Sequence, residues 1–165
     1  MDTLSGQVVG QMITYFDNDV RRINHALKVY GFAKAIAAAE KLSGQSLAVL
    51  ETAAILHDIG IKACEQKYHS TAGSYQELEG PPIARKLLAG SDLPADFIDR
   101  VSYLIGNHHS YSKIDGVDFQ ILVEADFLVN ICEDNLADGS IRTIGDKYFK
   151  TASGQRYLYG MYHAK

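Results

Sequence analysis

Ile121-Leu122-Val123-Glu124-Ala125-Asp126-Phe127-Leu128-Val129 decides the reading of this chain. With its flanks, residues 118–132, it is long enough for four turns of helix, and its apolar residues fall all round the axis. A helix of that kind is buried on every side and belongs at the centre of an all-helical core. Asp126 lies within it, and a lone carboxylate in such surroundings is costly unless a cation or a metal ion meets it. One solution is a salt bridge to Lys or Arg of another helix; the other is metal ligation. Asn130, one turn on, is placed to orient Asp126.

Towards the N-terminus the pattern stays helical. Leu4 to Phe16 predicts a first helix, weakened by Gly6 and Gly10. Asp17-Asn18-Asp19 supplies caps and first-turn acids for a second, carried by Val20, Ile23, Leu27, Val29, Phe32, Ile36 and Ala39 at close to the 3.6-residue period. Gly44 is expected to end it. Ser46 then caps a third helix through Leu47, Leu50, Ala54 and Ile55, ending near Gly60. Residues 62–80 are polar and contain Gly73, Ser74 and Gly80, so an irregular segment is expected there. Pro81-Pro82 opens a short helix over 83–89, because proline is tolerated in a first turn. Pro94 opens another through Phe97, Val101, Leu104 and Ile105. The aromatic tail, 141–165, is less defined, and Tyr157 to Tyr162 suits a strand or a terminal helix. No internal repeat or low-complexity tract interrupts the chain. One all-α domain over 1–165 is the expectation.

Composition agrees with that expectation. Apolar residues at 47% and charged residues at 22% match an ordinary globular domain, and 165 residues can bury a sizeable core. A net charge of −4 with scattered Lys and Arg disfavours nucleic-acid polymers as partners. Cys64 and Cys132 are far apart and outside any Cys-x-x-Cys pair, which reads as two reduced thiols in a cytoplasmic protein. The first residues, Met1-Asp2-Thr3-Leu4, carry an early acid and no apolar core, so no signal peptide is expected. No stretch has the length of a membrane span.

Four fragments hold residues able to bind a metal: Asn24-His25, His57-Asp58-Ile59-Gly60, Asn107-His108-His109 and Glu124-Ala125-Asp126. Imidazole nitrogen and carboxylate oxygen both suit divalent ions such as Zn, Fe, Mn or Co. His57-Asp58 is predicted at the last turn of a buried helix, where neighbouring side chains diverge by about 100° and meet one ion only from the side between them. Taken singly, each fragment has an ordinary reading: a helix-end histidine favoured by the dipole, a hydrogen-bonded core histidine at His25, a loop pair at His108-His109. His69 and His163 have no ligand partner at helical spacing.

The order His, His-Asp, Asp, in the contexts Asn24-His25-Ala26-Leu27-Lys28-Val29, Ala54-Ile55-Leu56-His57-Asp58-Ile59-Gly60 and Glu124-Ala125-Asp126, resembles the HD-domain superfamily of metal-dependent phosphohydrolases. The resemblance covers roughly positions 20–132. It implies a single-domain helical bundle in which His25, His57, Asp58 and Asp126 bind a first metal and catalysis depends on Asp58. Some subgroups hold two metals, using further histidines between the His-Asp pair and the last Asp. Ile105-Gly106-Asn107-His108-His109 resembles one such element. Glu79-Gly80-Pro81-Pro82-Ile83-Ala84-Arg85 resembles the other, with Glu79 where histidine is usual; glutamate is a competent ligand for Fe, Mn or Mg. The implied centre has one or two divalent ions (Fe, Mn, Zn, Co, Ni or Mg), with Asp58 bridging and Glu79, His108 and His109 around the second.

The sequence departs from the family at Gly60 and Ile61, where relatives carry Lys, and at Ser110-Tyr111-Ser112, where the HD-GYP subgroup has Gly-Tyr-Pro; cleavage of cyclic di-GMP is therefore not implied. The activity that follows is hydrolysis of a phosphate ester or anhydride of a small nucleotide-like molecule through metal-activated water, with Lys62, Arg85 and Lys113 as candidate phosphate contacts. Two alternatives stand beside it. One is a di-iron oxygenase of the same fold; the other is a module that senses a nucleotide without turning it over.

Overall fold

Among residues 3–163, which the computed structural model of the protein describes, the chain forms nine α-helices, one short 3-10 turn and no strand. The helices are α1 (Leu4–Phe16), α2 (Val20–Ala39), α3 (Gly44–Leu56), α4 (Ile61–Tyr68), α5 (Gly73–Leu88), α6 (Ala95–Ile105), α7 (Val117–Glu133), α8 (Asp138–Tyr148) and α9 (Ala152–Tyr162). The 3-10 turn, Tyr111–Lys113, precedes α7. Several starts are capped as their residues dictate. The side chains of Thr3, Asp19 and Thr151 accept from the backbone N–H groups of Gly6, Arg22 and Gly154; a cap of this kind contributes about 1 kcal/mol.

The apolar helix is central, as its sequence demands. Its residues Phe119, Ile121, Leu122, Ala125 and Leu128 are fully buried. It packs against α2 and α3, which also pack on each other; α1 and α6 flank α3, α5 lies on α4 and α6, and α8 and α9 close over α7. One hydrophobic cluster runs through these layers from Val8 to Leu158. The chain is thus a single all-α bundle, and α2, α3 and α7 bring His25, His57-Asp58 and Asp126 to one place.

The elements differ from the sequence expectation in three respects. Lys41, at φ 60°, is the left-handed residue that ends α2, with Leu42 N–H reaching back to Ala37 O at 2.9 Å. Gly44, also left-handed at φ 63°, opens α3 instead of closing α2, and Ser43, not Ser46, occupies the cap position. Most of the segment 62–80 is helical: α4 follows the His57–Gly60 turn directly, only residues 69–72 are irregular, and α5 begins at Gly73. Pro81 and Pro82 therefore lie inside α5, where each removes a backbone bond. Packing overrides that local cost. A Cβ on Gly60 would stand 2.7 Å from Gly80 N, and one on Gly80 2.7 Å from the Ile105 side chain, so α4, α5 and α6 meet across a glycine-lined contact. In the tail, which the sequence left between a strand and a terminal helix, α8 and α9 form and Tyr157 to Tyr162 is helical; residues 164–165 fall outside the described chain.

Candidate metal centre

Each candidate metal-binding side chain is placed by a helix end or a buried helix face. His57 follows the last residue of α3, and its Nδ1 donates to Ala54 O at 2.8 Å. His108 lies just beyond α6, and its Nδ1 donates to Ile105 O at 2.8 Å. A carbonyl only accepts, so Nδ1 carries the proton in both rings and Nε2 faces the site. These bonds also satisfy carbonyls that a helix end leaves open. His25, from α2, has Nδ1 against Glu133 Oε2 at 2.8 Å. Partners of this kind set ring orientation in metal sites.

The inward-facing atoms converge. His25 Nε2 and His57 Nε2 are 3.1 Å apart. Asp126 Oδ1 lies 3.3 Å from the first and 3.4 Å from the second. Asp58 Oδ2 lies 3.4 Å and 3.5 Å from the same two nitrogens. The other oxygen of Asp58, Oδ1, is 3.4 Å from His108 Nε2. Two groups result, His25–His57–Asp58 and Asp58–His108–His109, each with its ligand atoms within 4.8 Å of one another and with Asp58 common to both.

These atoms fit a divalent ion. His108 Nε2 is buried with no hydrogen-bond partner, although buried polar atoms are almost always satisfied. Nitrogens 3.1 Å apart, ringed by carboxylate oxygens, require positive charge between them. In the metal-free protein protons supply it. Burial opposes charge on His25, but the hydrogen bond to Asp126 and the charge of Asp58 prevail and push it up to about 9. His57 also moves upward against its burial, drawn by Asp58 and Asp126. Burial raises both carboxylates, and the facing histidines, His57 foremost, overcome it and hold Asp58 and Asp126 well below the usual range. His109 moves the other way, to about 4, through burial and then the charge of His108. It is neutral at pH 7 and has a lone pair to give.

Asn130 Nδ2 donates to Asp126 Oδ1 at 2.9 Å, as the one-turn spacing leads one to expect. Asp126 has no Lys or Arg partner among the described residues. His69 and His163 are left-handed residues at the ends of α4 and α9, away from both groups.

The structure gathers His25, His57, Asp58, Asp126, His108 and His109, but not Glu79. The Glu79 carboxylate accepts from Lys67 Nζ at 2.6 Å and Tyr68 Oη at 2.8 Å. Because α5 continues through the prolines, its residue facing the site is Gln76, one turn earlier, with Oε1 3.4 Å from His109 Nε2. None of the three expected phosphate contacts borders the cleft above these groups. Lys62 donates to Tyr15 O at 3.0 Å, Arg85 pairs with Asp99 at 2.8 Å, and Lys113 donates to Asn107 Oδ1 at 2.9 Å.

A cleft of about 310 Å³ opens over the site, bordered by His25, Asp58, Asp126, His109 and Gln76, and its cations are Arg21 and Arg22. Arg22 is held by Asp19 and Glu65. Arg21 is exposed and forms no ion pair among the described residues. Arg21 is four residues before His25, and Asp126, Asn130 and Glu133 are spaced i, i+4, i+7; helical spacing alone could have put Arg21 and Glu133 beside the ligands. Gln76 had no comparable signal while its segment read as irregular. A larger groove of about 1260 Å³ between α1 and the end of α5 contains no histidine and one carboxylate, Asp92, so it offers no such chemistry.

The fold and the site together define an all-helical domain built around a histidine–aspartate centre able to hold metal. The pattern of the HD-domain family matches residues 22–152, and the chain belongs to that family. Its fold is similar to the crystal structure of a predicted HD superfamily hydrolase from an uncultured Thermotogales bacterium. That match has a TM-score of 0.70 and 24% identity over 94% of this chain and 83% of the other. A comparison with curated proteins finds no match.

Proposed function

We propose that the protein is a metal-dependent phosphohydrolase that cleaves a phosphate ester or anhydride of a nucleotide-like small molecule at a dinuclear centre bridged by Asp58. The observation that carries this reading is the division of Asp58, with Oδ2 turned to His25 and His57 and Oδ1 to His108. His25, His57, Asp58 and Asp126 would hold one ion, and Asp58, His108 and His109 the other. Ions so held supply an acidified water and charge stabilisation at phosphorus. The chain's own residues do the rest. Arg21 binds the phosphoryl oxygens that enter the cleft. Asn130 holds Asp126, and Glu133 holds the His25 ring, so neither ligand turns away. The oxygenase alternative leaned on Glu79 as a ligand, and that carboxylate is engaged by Lys67 and Tyr68.

The test is metal analysis of protein purified without chelator, followed by a phosphate-release screen over nucleotides and simple phosphate esters. Asp58→Ala is expected to lose bound metal and activity together, and the exposed His69→Ala neither. Full metal content in the Asp58 variant would overturn the assignment. Retained metal with no phosphate release from any substrate would favour the sensing module.

A further inference from the structure

A second cavity, of about 690 Å³, opens on the other side of His109, which borders both it and the metal cleft. Its charge is opposite to that of the whole molecule. The chain has 20 acidic and 16 basic residues, yet this cavity is bordered by Lys113, Lys147 and Lys150 and by no carboxylate. The three lysines are exposed, and none of them pairs with a carboxylate among the described residues. Lys113 rests on the Asn107 side chain and Lys150 on the carbonyl of Asp146, at 3.3 Å. By contrast, Lys28, Lys34 and Lys67 all meet glutamates. Unpaired ammonium groups round one concavity draw in anions.

The wall between the lysines is aromatic. The rings of Tyr111 and Tyr148 are 4.5 Å apart at 49°, and both pack on Phe127, Tyr148 stacking on it at 5.2 Å and 13°. Phe127 adjoins Asp126 in α7, so this wall and the metal centre are fixed by the same helix. Rings held in this way offer a firm surface to a planar group, and about 690 Å³ is ample for a nucleoside phosphate.

We infer that this cavity seats the nucleoside phosphate end of the substrate, its phosphate among Lys113, Lys147 and Lys150 and its base on Tyr111 and Tyr148, while the scissile phosphate lies beyond His109 in the metal cleft. The inference rests on the hydrolase reading for its role, but the seat is made of the chain's own side chains and does not need a metal to bind. Its consequence is a preference for substrates with a second anionic group over simple phosphomonoesters.

The test is equilibrium dialysis of AMP, adenosine and inorganic phosphate against chelator-treated protein. Wild type should bind AMP, with adenosine and phosphate each at least tenfold weaker. Lys113→Gln/Lys147→Gln, at exposed positions, should weaken AMP at least tenfold with an unchanged melting temperature. Tyr148→Leu should weaken AMP while leaving inorganic phosphate unaffected. No AMP binding by wild type up to millimolar concentration, or loss of binding on Arg21→Gln but not in the lysine variant, would overturn the seat. The two readings fail separately: AMP binding without phosphate release from the metal-loaded protein would count against the hydrolase alone, and phosphate release without AMP binding against the seat alone.

Discussion

Glu124 and Asp126 stand two residues apart on α7, and replacing each should have opposite consequences. Glu124 is fully buried and turned away from the metal centre. Its carboxylate accepts from Lys150 N at 2.6 Å, Thr151 N at 2.9 Å, Thr151 Oγ1 at 2.5 Å and Gln120 Nε2 at 2.8 Å. It thereby fastens the turn between α8 and α9 to the central helix. Glu124→Ala leaves the two backbone N–H groups without an acceptor, at about 1–3 kcal/mol for each one that water does not reach. Thr151 N is buried and Lys150 N partly so, which gives a loss of about 2–4 kcal/mol. For a domain of this size that lowers Tm by roughly 5–15 °C. Glu124→Gln keeps an acceptor for the backbone groups and should cost about 1 kcal/mol. Urea denaturation followed by far-UV circular dichroism measures the loss, and thermal melts with and without added metal supply the contrast. An ion that binds only the folded protein raises Tm; that rise should persist in full in Glu124→Ala and shrink in Asp126→Asn, which keeps only the second proposed ion site. A loss under about 1 kcal/mol in Glu124→Ala, or disappearance of its metal-induced rise, would refute the division of roles.

Gln76→His should tighten the second ion by adding an imidazole beside His109, whereas Glu79→Ala should leave ion content unchanged; a fall of one ion per chain in the Glu79 variant, read by elemental analysis, would contradict this. Metal binding should release protons. His25 is pushed up to about 9 in the metal-free protein and is charged at pH 7, so an ion must displace that proton and affinity should climb as pH rises towards about 9. The same raised value stabilises the metal-free fold fully below about pH 6.5, a contribution lost as pH rises through about 9. Calorimetry in two buffers of different ionisation enthalpy measures the release, and identical heats would refute it. Gly60→Ala should cost about 1–3 kcal/mol through overpacking, since its Cβ would meet Gly80 N at 2.7 Å; an unchanged urea midpoint would show that α4 and α5 separate freely.

The parts of the fold legible in the sequence were those whose signal is local. The apolar girth of α7 declared a central helix, and the spacing from Val20 to Ala39 declared α2. The ligand order placed His25, His57, Asp58 and Asp126 on separate elements that the bundle then brought together. What stayed illegible depended on contacts distant in sequence. Pro81-Pro82 reads as a helix start because the Gly60–Gly80 approach that carries α5 through it joins residues twenty positions apart. That one shift of boundary turned Glu79 towards Lys67 and Gln76 towards His109. Glu124 and Asp126 are both carboxylates in one apolar run; which of them faces the histidines and which a backbone turn depends on the α8–α9 segment, whose sequence has no clear pattern.

His57 and His108 lie just past the ends of different helices and share one device, a ring nitrogen tied to the carbonyl three residues earlier in the same chain segment. Each imidazole therefore travels with the end of its own helix as one rigid piece. A substitution elsewhere that slides α3 or α6 by a few tenths of an ångström would translate the ring without spinning it, and Nε2 would keep its aim. These two rings can thus tolerate drift in the surrounding core that would turn a ring oriented from another helix, as His25 is by Glu133. They would be vulnerable to something smaller: a backbone distortion confined to the turn at His57 or His108 would part a ring from its carbonyl while leaving the surrounding core in place.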